Sequence, residues 1–150
     1  MNDHSTTVRR FLDMRVPDVL LEGFFLSAVK SPESTWPLHP EQGITASIES
    51  NAPCVGTFYF CAPLPPVRLL GATLLGSDEA EYLHDIMGEL SNVVAGRIAL
   101  DLQDGFDIQP KLGLPKVGPN LFPDPETLDV YLRFRVEDSH LVVGWKAIDS

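Results

Sequence analysis

Residues 83–98 read LHDIMGELSNVVAGRI, and this stretch decides the fold class of the 150-residue chain. Because each helical residue advances by about 100°, the apolar side chains of the stretch fall within about 80° on either side of Leu90. They are Leu83, Ile86, Met87, Leu90, Val93, Val94 and Ile98. Ser77 and Asp78 precede the stretch as candidate N-caps, which are residue types that accept hydrogen bonds from free helical N–H groups. The pattern predicts one long helix over about residues 78–100, packed on another layer through its apolar face.

A row of polar and small residues lies on the opposite side of this helix: Asp85, Glu89, Asn92 and Gly96, with Gly88, Ala95 and Ala99 beside them. A glycine inside a helix costs about 1 kcal/mol relative to alanine, and such a cost often has a packing or functional reason. Small residues here would let another protein approach closely while Glu89 and Asn92 project into it. The alternative interpretation is an ordinary solvated helix face.

The chain before this helix predicts a β-hairpin and further helices. Residues 44–50 alternate apolar and polar side chains, and residues 54–60 are rich in aromatic and β-branched types, so two strands joined by the turn at residues 51–53 are expected. Gly56 indicates a bulge or a close backbone approach. Residues 65–76 predict a helix opened by two prolines. Residues 5–30 also read as helical, and Pro17 predicts a break into two pieces with the second starting at Pro17.

The chain after the long helix returns to strand patterns. A short strand is expected at residues 106–108, followed by a Pro- and Gly-rich passage over residues 112–125. Residues 128–137 alternate strictly between apolar and polar side chains and form the clearest strand in the sequence, and a last strand follows at residues 140–147. Hairpins joined by helices, without regular βαβ alternation, indicate an α+β domain with a mostly antiparallel sheet covered by helices on one face.

Composition narrows the classes of function. Eleven basic and 21 acidic residues give a formal charge of −10, so binding to a nucleic-acid backbone is excluded as a main role. The length predicts a single domain over residues 1–150, with a flexible N-terminus over about residues 1–6. Cys54 and Cys61 lack zinc-site spacing and are expected to be buried, reduced thiols. We find neither a secretory signal nor an apolar run long enough for membrane insertion, and therefore expect a cytoplasmic protein.

The stretch MGELSNVVAG at residues 87–96 resembles the signature helix of the CheX-type members of the CheC/CheX/FliY phosphatases, whose pattern is Glu-x-x-Asn-x-x-x-Gly. The flanks are similar as well: the hairpin with Gly56, the Pro-opened helix before the signature helix, the segment LGLPKVG at residues 112–118, and the closing hairpin. The resemblance extends from about Pro17 to the end of the chain. The Pro17 break, the loop at residues 31–43 and residues 119–126 depart from the family pattern.

The resemblance implies a phosphatase that hydrolyses the aspartyl phosphate of a CheY-type response regulator. By position, Asn92 would orient the attacking water and Glu89 would contact the active-site Lys of the receiver. Asp85, Gly88 and Gly96 would contribute to partner binding. The resemblance also implies that the chain has no cofactor of its own, that Mg²⁺ comes with the receiver, and that a homodimer can form. The other interpretation that stays open is a CheX-like adaptor domain that binds a signalling protein without catalysis.

Other candidate sites receive simpler interpretations. Asp85 and Glu89 are one turn apart, yet both are expected to be exposed, which argues against an acid/base pair. His84 lies off the motif row and is expected at the boundary of the core. Ser77 has no nucleophile-elbow context and is interpreted as a helix cap. The polar strand face of Tyr131, Arg133 and Arg135 is expected to be solvated or paired across strands, with a dimer contact as the alternative.

Overall fold

The computed structural model describes residues 4–24, 26–31, 43–62, 80–108, 110–119, 122–136 and 139–148. Its helices and strands are α1 (His4–Phe24), β1 (Ala28–Lys30), β2 (Ile44–Ser50), β3 (Gly56–Ala62), α2 (Ala80–Phe106), β4 (Lys116–Pro119), β5 (Val130–Val136) and β6 (Ser139–Ala147). A 3₁₀ turn at Pro125–Thr127 precedes β5. The helix expected at residues 65–76 and the caps expected at Ser77 and Asp78 lie outside the described residues.

The six strands form one antiparallel sheet in the order β1-β5-β6-β3-β2-β4. Both predicted hairpins are present: Ile44 opposes Ala62 in the first, and Val136 opposes Ser139 in the second. The period-two alternation fixed both registers, because a slip of one residue would turn every apolar side chain toward the other face. The Pro-containing segment after α2 supplies β4, which pairs with β2 and forms one edge of the sheet.

The main core lies between the sheet and the two helices. The inward side chains of the central strands are almost fully buried, among them Phe58, Phe60, Leu132, Phe134, Val143 and Trp145. Met87, Leu90, Val94 and Ile98 of α2 pack into the same cluster. Each such side chain stabilises the fold by about 1.5–3 kcal/mol relative to leaving it exposed. The fold class is therefore confirmed: an α+β domain whose antiparallel sheet has its helices on one face.

A smaller cluster lies on the other face of the sheet. Cys61, Phe122 and Val142 are buried there, and three half-buried residues pack against them. A Cβ atom on Gly144 would lie only 2.6 Å from Cδ1 of Leu128, so the missing side chain at residue 144 makes room for the segment around the 3₁₀ turn. This segment, which has no clear counterpart in the family pattern, covers part of the second face.

Gly56 brings two strands into close contact, as its position in the sequence predicts. A Cβ atom there would lie 2.5 Å from the carbonyl oxygen of Lys146 and 2.7 Å from the indole ring of Trp145. Only glycine fits, because real Cβ atoms do not approach backbone oxygens this closely. The strand begins at this glycine rather than at Cys54. Cys54 and Cys61 are both free and buried, as expected.

Pro17 does not break the first helix, which contradicts the expectation of two pieces. α1 runs continuously from His4 to Phe24 with Pro17 inside it. Its apolar row is buried along the whole length, including Val8, Leu12, Val16, Val19, Leu20 and Phe24. Next to the proline, the Arg15 guanidinium donates two hydrogen bonds of 2.8 Å to the carboxylate of Asp101 on α2. These tertiary contacts on both sides of Pro17 outweigh the roughly 3 kcal/mol that an interior proline costs a helix.

The helical assignment of residues 5–30 is wrong at its C-terminal end. Leu26 N–H donates to the carbonyl oxygen of Leu20 at 3.0 Å and so returns the chain to the last turns of α1. Residues 28–30 then form β1 at the second edge of the sheet, where Val29 opposes Arg135. Leu21 is 61% exposed, although its helical spacing from Phe24, Phe25 and Ala28 predicts a place on a core-facing stripe. Three residues are too few for a strand periodicity to show in the sequence.

The strand expected at residues 106–108 is also wrong. α2 continues to Phe106, with Leu102 buried in its last turns. Asp107 then has a φ of 57°, the left-handed conformation that commonly ends a helix. The ring of His4 meets that of Phe106 edge to face, with centroids 5.6 Å apart. Residues 4–6 belong to α1, and the flexible N-terminus over about residues 1–6 stays a prediction. Among the described residues, no helix has the length and apolarity to cross a membrane.

Candidate functional site

The exposed side of α2 presents the motif residues to solvent. Asp85, Glu89 and Asn92 are exposed, while Gly88 and Gly96 are half-buried. The opposite side of the helix is held by Met87, Leu90 and Ile98 in the core. Since the helix is anchored on that side along its length, the motif side chains are presented by a rigid element. Glu89 and Asn92 are three positions apart, which brings their Cβ atoms to about 5–6 Å of each other on the helix surface.

Four of the five predicted site residues line one open groove. One wall consists of residues on α2: His84, Asp85, Gly88, Glu89 and Asn92. The other consists of Pro115, which precedes β4, and Val117 on β4. The volume of the groove is about 520 Å³. Gly96 is not among the lining residues and lies one turn beyond Asn92 on the same helix. The edge strand of the sheet therefore forms the second wall, so a partner that reaches Asn92 also meets β4.

Among the residues that the structure describes, neither glycine of the motif is required by packing. A Cβ atom on Gly88 would lie 3.6 Å from Cγ2 of Val117, which is ordinary van der Waals contact, and a Cβ atom on Gly96 would have no atom within 4 Å. Alanine would therefore fit at both positions and would favour the helix by about 1 kcal/mol. Contacts among the described residues thus do not account for these glycines, and the expectation that a partner approaches this surface stays a prediction.

The flanks of the motif differ in part from expectation. Ala95 and Ala99 were expected beside the polar row, but they are 0% and 8% exposed and belong to the buried side. Ser91 inside the motif is also fully buried, and its hydroxyl donates to the carbonyl oxygen of Gly88 at 3.0 Å. The small residues of the motif that are not fully buried are therefore the two glycines, Gly88 and Gly96.

His84 lies in the groove rather than at the boundary of the core. It is exposed and lines the same wall as Asp85. The helical angle of His84 placed it off the motif row, yet His84 is one of the residues that line the groove. Sequence reasoning also missed Pro115 and Val117, since only the sheet topology brings β4 next to α2.

The charges in the groove come from two exposed carboxylates, Asp85 and Glu89. Neither carboxylate is enclosed in apolar surroundings of the kind that a general acid uses, and the groove offers no nucleophile beside a base. Within the described ranges, no three His, Cys, Asp or Glu side chains lie together as a metal site. The chemistry available from these residues is hydrogen bonding by a carboxamide and charge pairing by a carboxylate.

The buried cysteines and the outer sheet face stay separate from the groove. Burial raises the pKa of the Cys54 thiol to about 11, so this residue is no thiolate nucleophile. On the outer face, Tyr131 packs edge to face against Phe122, with centroids 6.2 Å apart, and Arg133 Nη2 lies 2.8 Å from His140 Nε2 on the neighbouring strand. Cross-strand pairing is thus present at Arg133. Ser77, the candidate cap, lies outside the described residues.

Comparison with known proteins defines the fold. No protein-family model matches the sequence, and no curated protein matches it either. Among solved structures, the chemotaxis protein CheX from Vibrio vulnificus superposes with a TM-score of 0.77 at 15% identity, over 97% of this chain and 99% of that chain. CheX from Desulfovibrio desulfuricans gives 0.76 at 13% identity, over 95% and 99% of the two chains.

A third similar structure includes a partner. It is the complex of CheX with CheY, BeF₃ and Mg²⁺ from Borrelia burgdorferi, with a TM-score of 0.67 at 12% identity, covering 95% of this chain and 97% of that chain. All three superpositions extend over nearly the whole length of both chains. The chain therefore has the fold of the CheX-type proteins, which confirms at the level of fold the resemblance seen in residues 87–96 and their flanks.

Proposed function

We propose that this protein hydrolyses the aspartyl phosphate of a CheY-type response regulator through Asn92 and Glu89. The observation that carries the proposal is the groove itself: Glu89 and Asn92 are exposed side by side on α2, next to glycines whose Cβ positions meet no close contact among the described residues. A solved CheX of the same fold forms a complex with CheY, which supports a receiver domain as the partner.

Asn92 supplies the positioning that the reaction needs. Its carboxamide has one carbonyl acceptor and two N–H donors, so it can accept a hydrogen bond from a water and hold that water in line with the phosphorus. The water oxygen attacks phosphorus, the bond from phosphorus to the aspartyl oxygen breaks, and the products are a carboxylate and inorganic phosphate. Because an acyl phosphate is already activated, positioning and charge stabilisation account for most of the required catalysis.

Glu89 orients the receiver on α2. A carboxylate one turn from Asn92 pairs with the active-site Lys of a receiver and fixes the register of α2 over the phosphoryl group. Mg²⁺ belongs to the receiver in this proposal. Asp85 and Gly88 also line the groove, so these residues set how closely the receiver approaches.

The net charge of −10 constrains how the partner is bound. Receivers surround their phosphorylation site with carboxylates, and two acidic surfaces associate slowly. The contact therefore has to be locally poor in negative charge. Gly88, Gly96, Pro115 and Val117 supply such a surface around Asn92, and the Glu89 carboxylate is offset by the Lys that it meets.

The proposal is tested by following a phosphorylated receiver with substoichiometric protein. We expect the wild-type chain to shorten the lifetime of the phosphoryl group over many turnovers, and Glu89→Ala to weaken complex formation. Receivers encoded by neighbouring genes are the first candidates. Capture of the receiver with an unchanged phosphate lifetime would instead identify a non-catalytic adaptor. A homodimer and a cytoplasmic location are parts of the same proposal, checked by sedimentation and by fractionation.

A further inference from the structure

Leu100 lies on the motif face of α2 and is exposed to solvent. It is 54% exposed, whereas Met87, Leu90 and Ile98 of the same helix pack into the core and Phe106 at its end is 39% exposed. Leu100 follows Glu89 by 11 residues, three full turns plus about 20°. The two side chains therefore leave the helix in nearly the same direction. Isolated exposed leucines are common, and the alignment with Glu89 is what distinguishes this one.

The distance from the motif places Leu100 within reach of any receiver that engages Asn92. Eight residues separate Asn92 from Leu100, which is about 12 Å along the helix axis. A specific protein interface buries about 800 Å² on each partner, equivalent to a disc of about 16 Å radius. A receiver centred on Asn92 therefore covers Leu100 as well. Contacts to the groove alone would account for only a small part of those roughly 800 Å².

The surface between Asn92 and Leu100 is suited to close contact with an acidic partner. The positions between them on this face are Val93, which is half-buried, and Gly96, where a Cβ atom would have no neighbour within 4 Å. Neither residue is charged. No carboxylate therefore lies between the polar groove and Leu100 on this face. Arg97, which pairs with Glu22 at 3.5 Å, borders this surface, and the exposed Asp104 lies one turn beyond Leu100.

We propose that Leu100 is the apolar anchor of the receiver-docking surface, which consists of the groove around Glu89 and Asn92 and the helix face from Gly96 to Leu100. This inference rests on the proposed function and adds to it a requirement on the partner: its cognate receiver presents an apolar side chain about 12 Å from the phosphorylated aspartate. Leu100 does not reach the reacting atoms, so it determines affinity and not the rate of hydrolysis.

The test compares Leu100→Gln, which removes the apolar contact and keeps a good helix former, with Leu100→Met, which keeps the contact. The control is Val29→Thr, because Val29 is 63% exposed on β1, at the opposite edge of the sheet from β4. The ligand for Kd is the receiver loaded with beryllofluoride and Mg²⁺, and the substrate for KM and kcat is the phosphorylated receiver. We expect Leu100→Gln to raise both Kd and KM about tenfold at unchanged kcat, and Leu100→Met and Val29→Thr to match the wild type.

The outcomes separate this inference from the proposed function. If Glu89→Ala weakens binding and Leu100→Gln does not, the anchor is refuted and the proposed function stands. If the wild-type chain binds no loaded receiver, both are refuted. Thermal unfolding checks that Leu100→Gln is folded. If sedimentation shows that Leu100→Gln dissociates a homodimer, Leu100 belongs to a contact between copies and the inference is overturned.

Discussion

Replacing Gly96 by alanine should make the protein more stable and a poorer partner for its receiver. A Cβ atom at this position has no neighbour within 4 Å, so the substitution introduces no clash within the domain. Alanine favours a helix interior by about 0.5–1 kcal/mol over glycine. In a domain of this size, such a gain raises Tm by about 1–4 °C.

The opposite effect on binding follows from the position of Gly96 on the docking face. A methyl group inserted into a close protein contact costs about 1–3 kcal/mol, so we expect Kd for the beryllofluoride-loaded receiver to rise at least about fivefold. Thermal unfolding and a binding titration measure the two effects on one protein sample. Gly105→Ala is the matched control, since Gly105 also lies in α2 with an open Cβ position but stands beyond the docking face.

Two results would refute this reasoning. A lower Tm for Gly96→Ala would show that the space above residue 96 is not open in the folded domain. A higher Tm with unchanged receiver binding would show that the glycine does not serve the approach of a partner. For Gly105→Ala, we expect a smaller gain in Tm and no change in Kd.

Three further predictions concern the fold. Gly56→Ala should lower the free energy of unfolding by about 2–4 kcal/mol in urea titration, because its Cβ would lie 2.5 Å from a backbone oxygen. Gly113→Ala is the control, and an equal urea midpoint for the two variants would contradict the prediction. Burial raises the pKa of Cys54 from 9.0 to about 11, so the thiol ionises first in the unfolded chain and stability should fall as pH rises from 9 to 11, a loss that Cys54→Ala removes. Asp101 raises the pKa of the Arg15 guanidinium through two hydrogen bonds. A double-mutant cycle of unfolding free energies with Arg15→Gln and Asp101→Asn should therefore show favourable coupling, and additive effects would argue against the pair.

The sequence predicts the sheet and the long helix wherever the apolar period is long and regular. The alternation at residues 44–50 and 128–137 is confirmed as β2 and β5, and the helical repeat around Leu90 is confirmed as α2. These elements each bury one face, so the pattern of side chains records directly which face meets the core. The resemblance drawn from residues 87–96 is confirmed at the level of fold by the CheX structures.

Errors occur where tertiary contacts decide against local preference. Pro17 is a strong local signal for a break, but the buried apolar row of α1 and the Arg15–Asp101 pair keep the helix intact. Residues 28–30 carry no strand signal of their own and become a strand because β5 offers them a free edge. In both cases, the deciding contact comes from a residue far away in the sequence.

The candidate site, too, could be predicted from the sequence only in part. The helical repeat places Glu89 and Asn92 on an exposed face, and the structure brings them into one groove with Asp85 and Gly88. The second wall, from Pro115 and Val117, depends on the pairing of β4 with β2 and has no local signal. The position of Leu100 could have been predicted from the sequence, since residue 100 has nearly the same helical angle as Glu89. An exposed leucine is, however, easily assigned to the core.

The most direct test of the central claim is single-turnover hydrolysis of a phosphorylated receiver by a saturating excess of protein. Saturation removes any difference in affinity, so the measured rate reports only on the positioning of the attacking water. We predict that Asn92→Ala binds the loaded receiver with nearly the wild-type Kd and loses about 10²- to 10³-fold in the rate of phosphate release, the range for removal of one positioned polar group. A rate for Asn92→Ala equal to that of the wild type would contradict the assignment of this groove as the phosphatase site.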